Sequence, residues 1–458
     1  MNEPQVLFDK FSTLVIGGGI AGLQTALDLA DEGYKVLVVE KEPSIGGKMI
    51  QLSKVFPTLD CASCITTPKM SSTSHHENIV VWTYSEVTGY HKDDNGNFVV
   101  NITKNPRFVD EEKCTGCRQC EFMCPVDVPS EFEMGIGCRK AIYIPFQTAL
   151  PQVALIDMKH CIACLNCSRI CPADAVDYSQ TKQHFRVEVE SVVLATGFEL
   201  TPVGEKVEWG SGKHLNVLSS MTAERLLAPN GPYGGIRRPS DSQIPMSIAY
   251  IHCAGSRDAS LGRTYCSRVC CMYTIKQAML ITGALPIVQV TCYYMDIRAF
   301  GKGYEQFFEN AKAMGIEFVK GRVAEIVEDP ETHNLTLSVE NVSGAGGKIK
   351  AEHDMVVLSL GLTQGACPTS QFPVEIGKDG FIESTDFKLN PVQTSMEGVF
   401  GAGAAMGPKD IVDTIVEGSA ASMRVTKYLK AKKKETSEPE VVISSSVSFT
   451  AEGANLEG

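Results

Sequence analysis

Two copies of one cysteine pattern constrain this chain more than any other feature: Cys114-x-x-Cys117-x-x-Cys120-x-x-x-Cys124-Pro125 and Cys161-x-x-Cys164-x-x-Cys167-x-x-x-Cys171-Pro172. Thiolates at this spacing wrap one face of a four-iron cubane, and the fourth cysteine, followed by proline, crosses to the other cluster. The pattern therefore predicts two [4Fe-4S] clusters, one on Cys114, Cys117, Cys120 and Cys171 and the other on Cys161, Cys164, Cys167 and Cys124. Zinc ribbons do not usually show this eightfold pattern with both prolines. Two cubanes in one small module relay single electrons, which implies a one-electron partner.

On either side of this block the chain has an α/β rhythm. A strand over 13–16, the turn Gly17-Gly-Gly-Ile-Ala-Gly22, a helix to about Glu32 and a strand over 35–40 make one βαβ unit. At a strand-to-helix turn, glycines at 17, 19 and 22 let backbone N–H groups and the helix dipole hold a pyrophosphate. Glu40 ends the next strand, where a carboxylate binds a ribose hydroxyl, and Gly46-Gly47 adds a second close-approach turn between Lys41 and Lys48. A tight packing turn beside a surface Glu would leave this context and spacing unexplained.

Strand character resumes over 187–194 and ends at Ala195-Thr196-Gly197. A strand over 248–251, a helix over 273–282 and a strand over 287–291 form a second Rossmann-like unit, and strands over 355–360 and 398–403 lead into a last helix from about Ile411. Past it, a lysine run over 430–434 reads as a solvated helix end, and the Ser/Glu/Gly-rich tail to Gly458 is predicted to be disordered. His75-His76 reads as a polar loop.

Ala195-Thr196-Gly197 and Gly398-Val-Phe-Gly401-Ala-Gly403 resemble the two later flavin signatures of the pyridine nucleotide-disulfide reductase superfamily, which implies FAD. That superfamily usually places an Asp after the final glycine to bind the flavin ribityl chain; here the position is Ala404, so those contacts must come from elsewhere. The fold expected is α/β: two Rossmann-like domains of the FAD/NAD-linked reductase kind with an inserted α+β two-cluster ferredoxin domain. The FAD-binding domain takes 1–105, 181–240 and 356–430, the insert 106–180, the second unit 241–355 and the tail 431–458.

Composition agrees with a soluble, cytoplasmic chain. Its 458 residues are 43% hydrophobic and 21% charged, so a large core is available, and the net charge of -12 repels nucleic acid and anionic lipid. No apolar run reaches the roughly 18 residues of a membrane span, and the N-terminus carries no signal-peptide core. Seventeen cysteines, an odd number, in a reducing compartment are expected to be mostly ligands or redox thiols.

Cys253, Cys266, Cys270 and Cys271 form a third group, either a further cluster site or ordinary buried thiols. The group falls where a reductase of this superfamily carries the glycine turn of its NAD(P)H domain. Here the strand ends in His252-Cys-Ala-Gly-Ser-Arg-Asp258, and the nicotinamide site is read as lost. Cys61-Ala-Ser-Cys64 has the spacing of an activated thiol pair; a redox pair, a contribution to a cluster or partner contact, and inert thiols all remain open. Cys138, Cys292 and Cys367 have no spacing partners and read as buried or incidental.

Leu59-Asp-Cys61-Ala-Ser-Cys64, Arg139-Lys-Ala-Ile-Tyr-Ile-Pro145, Cys253-Ala-Gly-Ser-Arg-Asp258, Tyr265-Cys-Ser-Arg-Val-Cys-Cys271, Tyr293-Tyr-Met-Asp-Ile-Arg298 and Gly407-Pro-Lys-Asp-Ile411 resemble the A-type subunit of heterodisulfide reductase, a likeness running from about Thr13 to Arg424. The resemblance implies a thioredoxin-reductase-like flavoprotein with a non-standard [4Fe-4S] cluster on Cys253, Cys266, Cys270 and Cys271, so that FAD and three [4Fe-4S] clusters are expected. It also implies that Lys276, otherwise a solvated helix lysine, lies close to the flavin ring and acts on it. The family's extra N-terminal domain and C-terminal ferredoxin domain are missing from the likeness.

Two functions follow from that likeness. In one, the flavin splits or merges electron pairs, exchanging them with heterodisulfide reductase B- and C-like subunits, a hydrogenase-delta-like or other donor subunit, and ferredoxin, within a larger complex built on a homodimer. In the other, a non-bifurcating module passes electrons through a quinone-linked or sulfur-metabolism complex. A stand-alone NAD(P)H-dependent disulfide reductase is disfavoured by the replaced glycine turn. No nucleic-acid partner and no direct membrane span are expected.

Overall fold

The computed structural model describes residues 5–6, 10–342, 347–365 and 371–437. Its first sheet has eight strands. Ile79–Trp82, Val36–Val39, Phe11–Ile16 and Gln183–Leu194 run parallel in that order, Gln5–Val6 and Val399–Gly401 also pair parallel with Gln183–Leu194, and Phe98–Lys104 and Ser85–Lys92 continue antiparallel. Val36–Val39 is buried at every position, as suits a strand covered on both faces. The two-residue side-chain period sorts the sheet's faces: Leu14, Ile16, Leu37 and Val39 enter one core, while Val15, Val36 and Val38 enter another with Leu29 and Val425.

Helices Ile20–Asp31 and Ile411–Ser437 supply Leu29 and Val425 to that second face. They approach closely at Gly418, whose carbonyl oxygen accepts from Thr25 Oγ1 at 3.0 Å. A Cβ at Gly418 would stand 2.9 Å from the Ala21 carbonyl oxygen. The C-terminal helix continues to Ser437, past the expected tail boundary; Ala421, Val425 and Leu429 are buried against the sheet, while Val412, Val416 and Met423 are exposed. The expected disorder of the rest of the tail, and Cys367, lie outside the described residues. His75 ends the helix Ala62–His75 instead of lying in a loop.

A second, seven-stranded sheet orders Val217–Ser219, Met355–Leu360, Ser247–Ala254, Gln289–Tyr294, Glu317–Glu328, Leu335–Asn341 and Gly347–His353. Helices Cys270–Ala284 and Tyr304–Ala313 cover one face through Met272, Ile275, Phe307 and Phe308. The last three strands are antiparallel.

The cysteine-rich block leaves after Phe98–Lys104 and returns at Gln183–Leu194, and these two strands pair directly. Its own ends meet at the bridge between Val109 and Val176. Inside, two five-residue helices, Gln119–Met123 and Asn166–Ile170, start from left-handed residues, Arg118 and Leu165, over a small core containing Ile142, Ile144 and Ile156.

Candidate functional site

All three units wall one cleft of about 710 Å³, toward the upper end of the about 300–1,000 Å³ usual for small-molecule sites. On the first-sheet side it is lined by Gly17, Gly19, Glu40, Lys41, Gly47, Lys48, Ala195, Thr196, Gly197 and Ala404. The two glycine turns close on each other: Gly46 N–H donates to the Gly18 carbonyl at 2.8 Å, and a Cβ at Gly47 would stand 2.9 Å from Gly19 Cα. At Gly17, with φ +112°, a Cβ would stand 2.3 Å from the Ala195 carbonyl oxygen. These residues form a cradle that side chains would fill, which fits a dinucleotide.

Gly22, Gly46, Gly401 and Gly403 do not line the cleft. They permit packing behind it: a Cβ at Gly22 would stand 1.9 Å from the Gly17 carbonyl oxygen, and one at Gly403 2.6 Å from Ala21 Cβ. Glu40 is buried, and its carboxylate accepts from Gly18 N–H at 2.6 Å and Glu42 N–H at 2.9 Å. Burial pushes its pKa up although both amides oppose this. Lys48 and Lys41 both reach Glu199, at 2.8 and 3.9 Å. Ala404 lies in the wall, which Lys409, Asp410 and Thr414 continue with polar groups.

The insert forms a second wall with Phe132, Arg139 and Tyr143. The Arg139 guanidinium lies 4.0 Å over the Tyr143 ring and bonds Glu131 at 2.6 Å and Asp157 at 2.9 Å. The third wall contains Glu224, Tyr273, Lys276 and Gln277. Lys276 is 1% exposed, so it is no solvated helix lysine. Its ammonium pairs with Glu224 and donates to the Lys54 carbonyl at 2.9 Å. Lys276, Gln277 and Ser53 together hold the Glu224 carboxyl below its usual range despite complete burial. Sequence reading missed Glu224, since nothing in its spacing announces a partner fifty-two residues away in the chain.

In the insert, Cys114, Cys117, Cys120 and Cys171 line one small cavity. Cys161, Cys164 and Cys167 interact electrostatically with Tyr178, whose hydroxyl is 3.2 Å from Cys167 Sγ. Cys124 joins the same small core. Among the described residues no three His, Cys, Asp or Glu side chains gather tightly enough for a single metal ion. Four thiols spread around a cavity suit a cubane instead, since each binds a different iron.

Cys253, Cys270 and Cys271 are buried, and Cys266 interacts electrostatically with all three. Cys253 takes φ +58° at the end of its strand, and Cys270 and Cys271 open the helix Cys270–Ala284. Burial pushes Cys271 up to about 12 and Cys270 well above the thiol range. Four thiols whose charges would oppose one another become thiolates together only when a cationic centre binds them, which fits a cluster. Cys61 caps the helix Ala62–His75, its sulfur accepting from Cys64 N–H at 3.2 Å, while Cys64 is exposed. Cys292 is fully buried and Cys138 exposed.

Residues 12–49 match the family model "FAD dependent oxidoreductase", and residues 107–130 match "4Fe-4S binding domain". The chain is 50% identical over 426 residues to the second iron–sulfur A-type subunit of the CoB--CoM heterodisulfide reductase of Methanopyrus kandleri, covering 91% of this chain and 64% of that protein. It is 46% identical over 421 residues to the A-type subunit of the H(2):CoB-CoM heterodisulfide,ferredoxin reductase of Methanothermobacter marburgensis, covering 90% and 63%. Over this stretch the chain is similar to the A-type subunits of heterodisulfide reductases. It spans a little under two thirds of the length of these relatives.

The fold of this chain is that of thioredoxin reductases. The Lactococcus lactis enzyme superposes with TM-score 0.52 at 14% identity, covering 92% of this chain and all of that one, and the T. acidophilum enzyme with TM-score 0.51 at 15% identity, covering 92% and 99%. FAD and iron–sulfur are the cofactors of the matched domains. In this heterodisulfide reductase relative the turn after strand Ser247–Ala254 is packed shut, because a Cβ at Gly255 would stand 2.2 Å from Thr201. Among the described residues no helix is long and apolar enough to cross a membrane.

Proposed function

We propose that this chain is the flavin and iron–sulfur electron-transfer subunit of a heterodisulfide reductase-like complex, in which electron pairs are split or merged at FAD. Three [4Fe-4S] clusters would bind Cys114, Cys117, Cys120 and Cys171; Cys161, Cys164, Cys167 and Cys124; and Cys253, Cys266, Cys270 and Cys271. Bound FAD supplies exchange between two-electron and one-electron carriers, and the clusters supply one-electron steps.

One observation supports the reading: helix Cys270–Ala284 begins with Cys270 and Cys271 and, six residues on, places Lys276 in the cleft wall. At about 1.5 Å per residue this separates cluster and flavin walls by about 9 Å along the axis. On the other side the insert closes the same cleft, so a cluster module flanks the flavin site at either end. Gly17, Gly19 and Gly47 would cradle the pyrophosphate, Glu40 would meet the ribose, and Lys409, Asp410 and Thr414 would replace the missing Asp at Ala404. Lys276 with Glu224 would face the ring.

The relatives are named as subunits of enzymes acting on heterodisulfide and ferredoxin; here those partners, with B- and C-like subunits, complete the circuit, and the substrate site lies on a partner. The test is anaerobic stopped-flow of the FAD- and iron-loaded chain with its partner subunits. Coupled reduction of ferredoxin and heterodisulfide from one two-electron donor supports splitting, and reduction of one acceptor at unchanged rate without the other reduces the function to simple transfer.

A further inference from the structure

His252 immediately precedes Cys253, is 5% exposed, and has no hydrogen-bond partner at Nδ1 or Nε2. Ser256 lies three residues after Cys253, is 2% exposed, and has an equally unpartnered Oγ. Buried polar groups in native interiors are nearly always paired, and one left unpaired is destabilising. Two such groups on either side of one thiol point to an acceptor beside Cys253 that is not a side chain.

Topology brings His252 to the other cysteines. Along strand Ser247–Ala254 it follows Ile248 and Tyr250 at two-residue steps, and those two pack on Met272 and Ile275 of helix Cys270–Ala284. In a βα unit the helix runs back along its strand. The C-terminal end of this strand, with His252 and Cys253, therefore meets the helix start, with Cys270 and Cys271.

We propose that His252 donates a hydrogen bond to a sulfur of the third [4Fe-4S] cluster, that Ser256 Oγ donates a second from the other side of Cys253, and that the pair sets this cluster's potential. The proposal rests on reading Cys253, Cys266, Cys270 and Cys271 as the cluster's ligands. Either imidazole tautomer carries one N–H, and a serine hydroxyl always has a proton to give. Reduction adds negative charge to the cluster, so donors at its sulfurs stabilise the reduced form more than the oxidised one and raise the potential. His252 and Ser256 are thus positioning residues: they ligate no iron, and they act on the cluster's electronics through its sulfurs.

The test uses the anaerobically purified full chain, with the third cluster's electron paramagnetic resonance signal identified as the one lost in Cys270→Ser/Cys271→Ser. His252→Phe keeps a planar ring and removes the donors. We expect unchanged iron content, shifted g-values, and a reduction equilibrium about tenfold less favourable, which is about 59 mV for a one-electron couple. Ser256→Ala lowers the potential in the same direction, His252→Gln restores part of it, and the two ferredoxin-type signals stay where they were. A third signal present in the wild type but unmoved in both His252→Phe and Ser256→Ala overturns this proposal alone, leaving a buried water as the partner of these groups. Eight irons and no third signal in the wild type overturn the ligand reading itself. If His252→Phe loses the cluster, His252→Gln and Ser256→Ala decide by the same criterion.

Discussion

The Lys276 ammonium and the Glu224 carboxylate form an ion pair in which both side chains are 2% exposed. The cation expected beside the flavin is therefore already neutralised by a buried anion. Gln277 and Ser53 add hydrogen bonds to the same carboxylate.

This pairing sharpens the expectation for Lys276→Gln. With Lys276 facing the ring, as proposed, the substitution removes the ammonium's positive charge, disfavours the added negative charge of reduced flavin, and is expected to lower the two-electron midpoint. Glu224→Gln leaves the ammonium unmatched and raises it. About 30 mV corresponds to about 1.4 kcal/mol for a two-electron couple, so anaerobic titration resolves even a modest interaction. Each single variant is expected to lose about 3–5 kcal/mol of stability, and the double variant to recover much of it and return the midpoint toward wild type. Equal midpoints in all four proteins would place the pair away from the flavin.

Legibility in the sequence follows the range of each signal. The βαβ unit, the doubled cysteine motif and strand Met355–Leu360 are written in short spacings and period-two or period-three repeats, and each is found where the spacing put it. The strands Glu317–Glu328 and Gly347–His353 escape a reading by pattern because their polar, exposed faces weaken the alternation, whereas Leu335–Asn341 keeps it, with Leu335, Leu337 and Val339 buried. Gly401 and Gly403 carry a flavin signature yet act through packing against Met406 and Ala21, a distinction that spacing does not encode. Glu224 enters the cleft through contacts with Lys276 and Ser53, distant in the chain, whereas Arg139 and Lys409 are held within their own units, by Glu131 and Asp157 and by Glu417 at 2.5 Å.

Neither NADH nor NADPH is expected to bleach the flavin of the isolated chain. The site of a phosphate-binding turn is taken by Cys253, the packed Gly255 and a segment leading to Cys270, with no open strand-to-helix turn. Anaerobic stopped-flow mixing measures this, and flavin reduction at catalytically useful rates would sink the claim.

About twelve irons per chain are expected from three four-iron clusters. Cys270→Ser/Cys271→Ser should remove four and leave both ferredoxin-type clusters, because neither residue belongs to the core that packs the insert's cysteines. Cys171→Ser should instead disturb the cluster of Cys114, Cys117 and Cys120, with which it lines a cavity. Colorimetric iron content and low-temperature spectra decide both. Eight irons in the wild type, with an unchanged spectrum in the double variant, would return the third group to buried thiols.

Gly22→Ala tests whether the glycine turn serves the dinucleotide or only the fold. Gly22 does not line the cleft, yet a Cβ there would stand 1.9 Å from the Gly17 carbonyl oxygen and 3.2 Å from Val15 Cγ1. Backbone and strand cannot both stay in place, so either the helix Ile20–Asp31 lifts off the sheet or the turn at Gly17 deforms. Both movements open the cradle against Ala195 on which the pyrophosphate would rest. The iron sites of the insert have a core of their own, without residues from this turn. We therefore expect purified Gly22→Ala to keep the insert's iron and lose most of its FAD, measured as flavin-to-iron ratio after gel filtration. Full flavin occupancy in this variant would show that the turn tolerates a side chain, and would move the pyrophosphate away from Gly17.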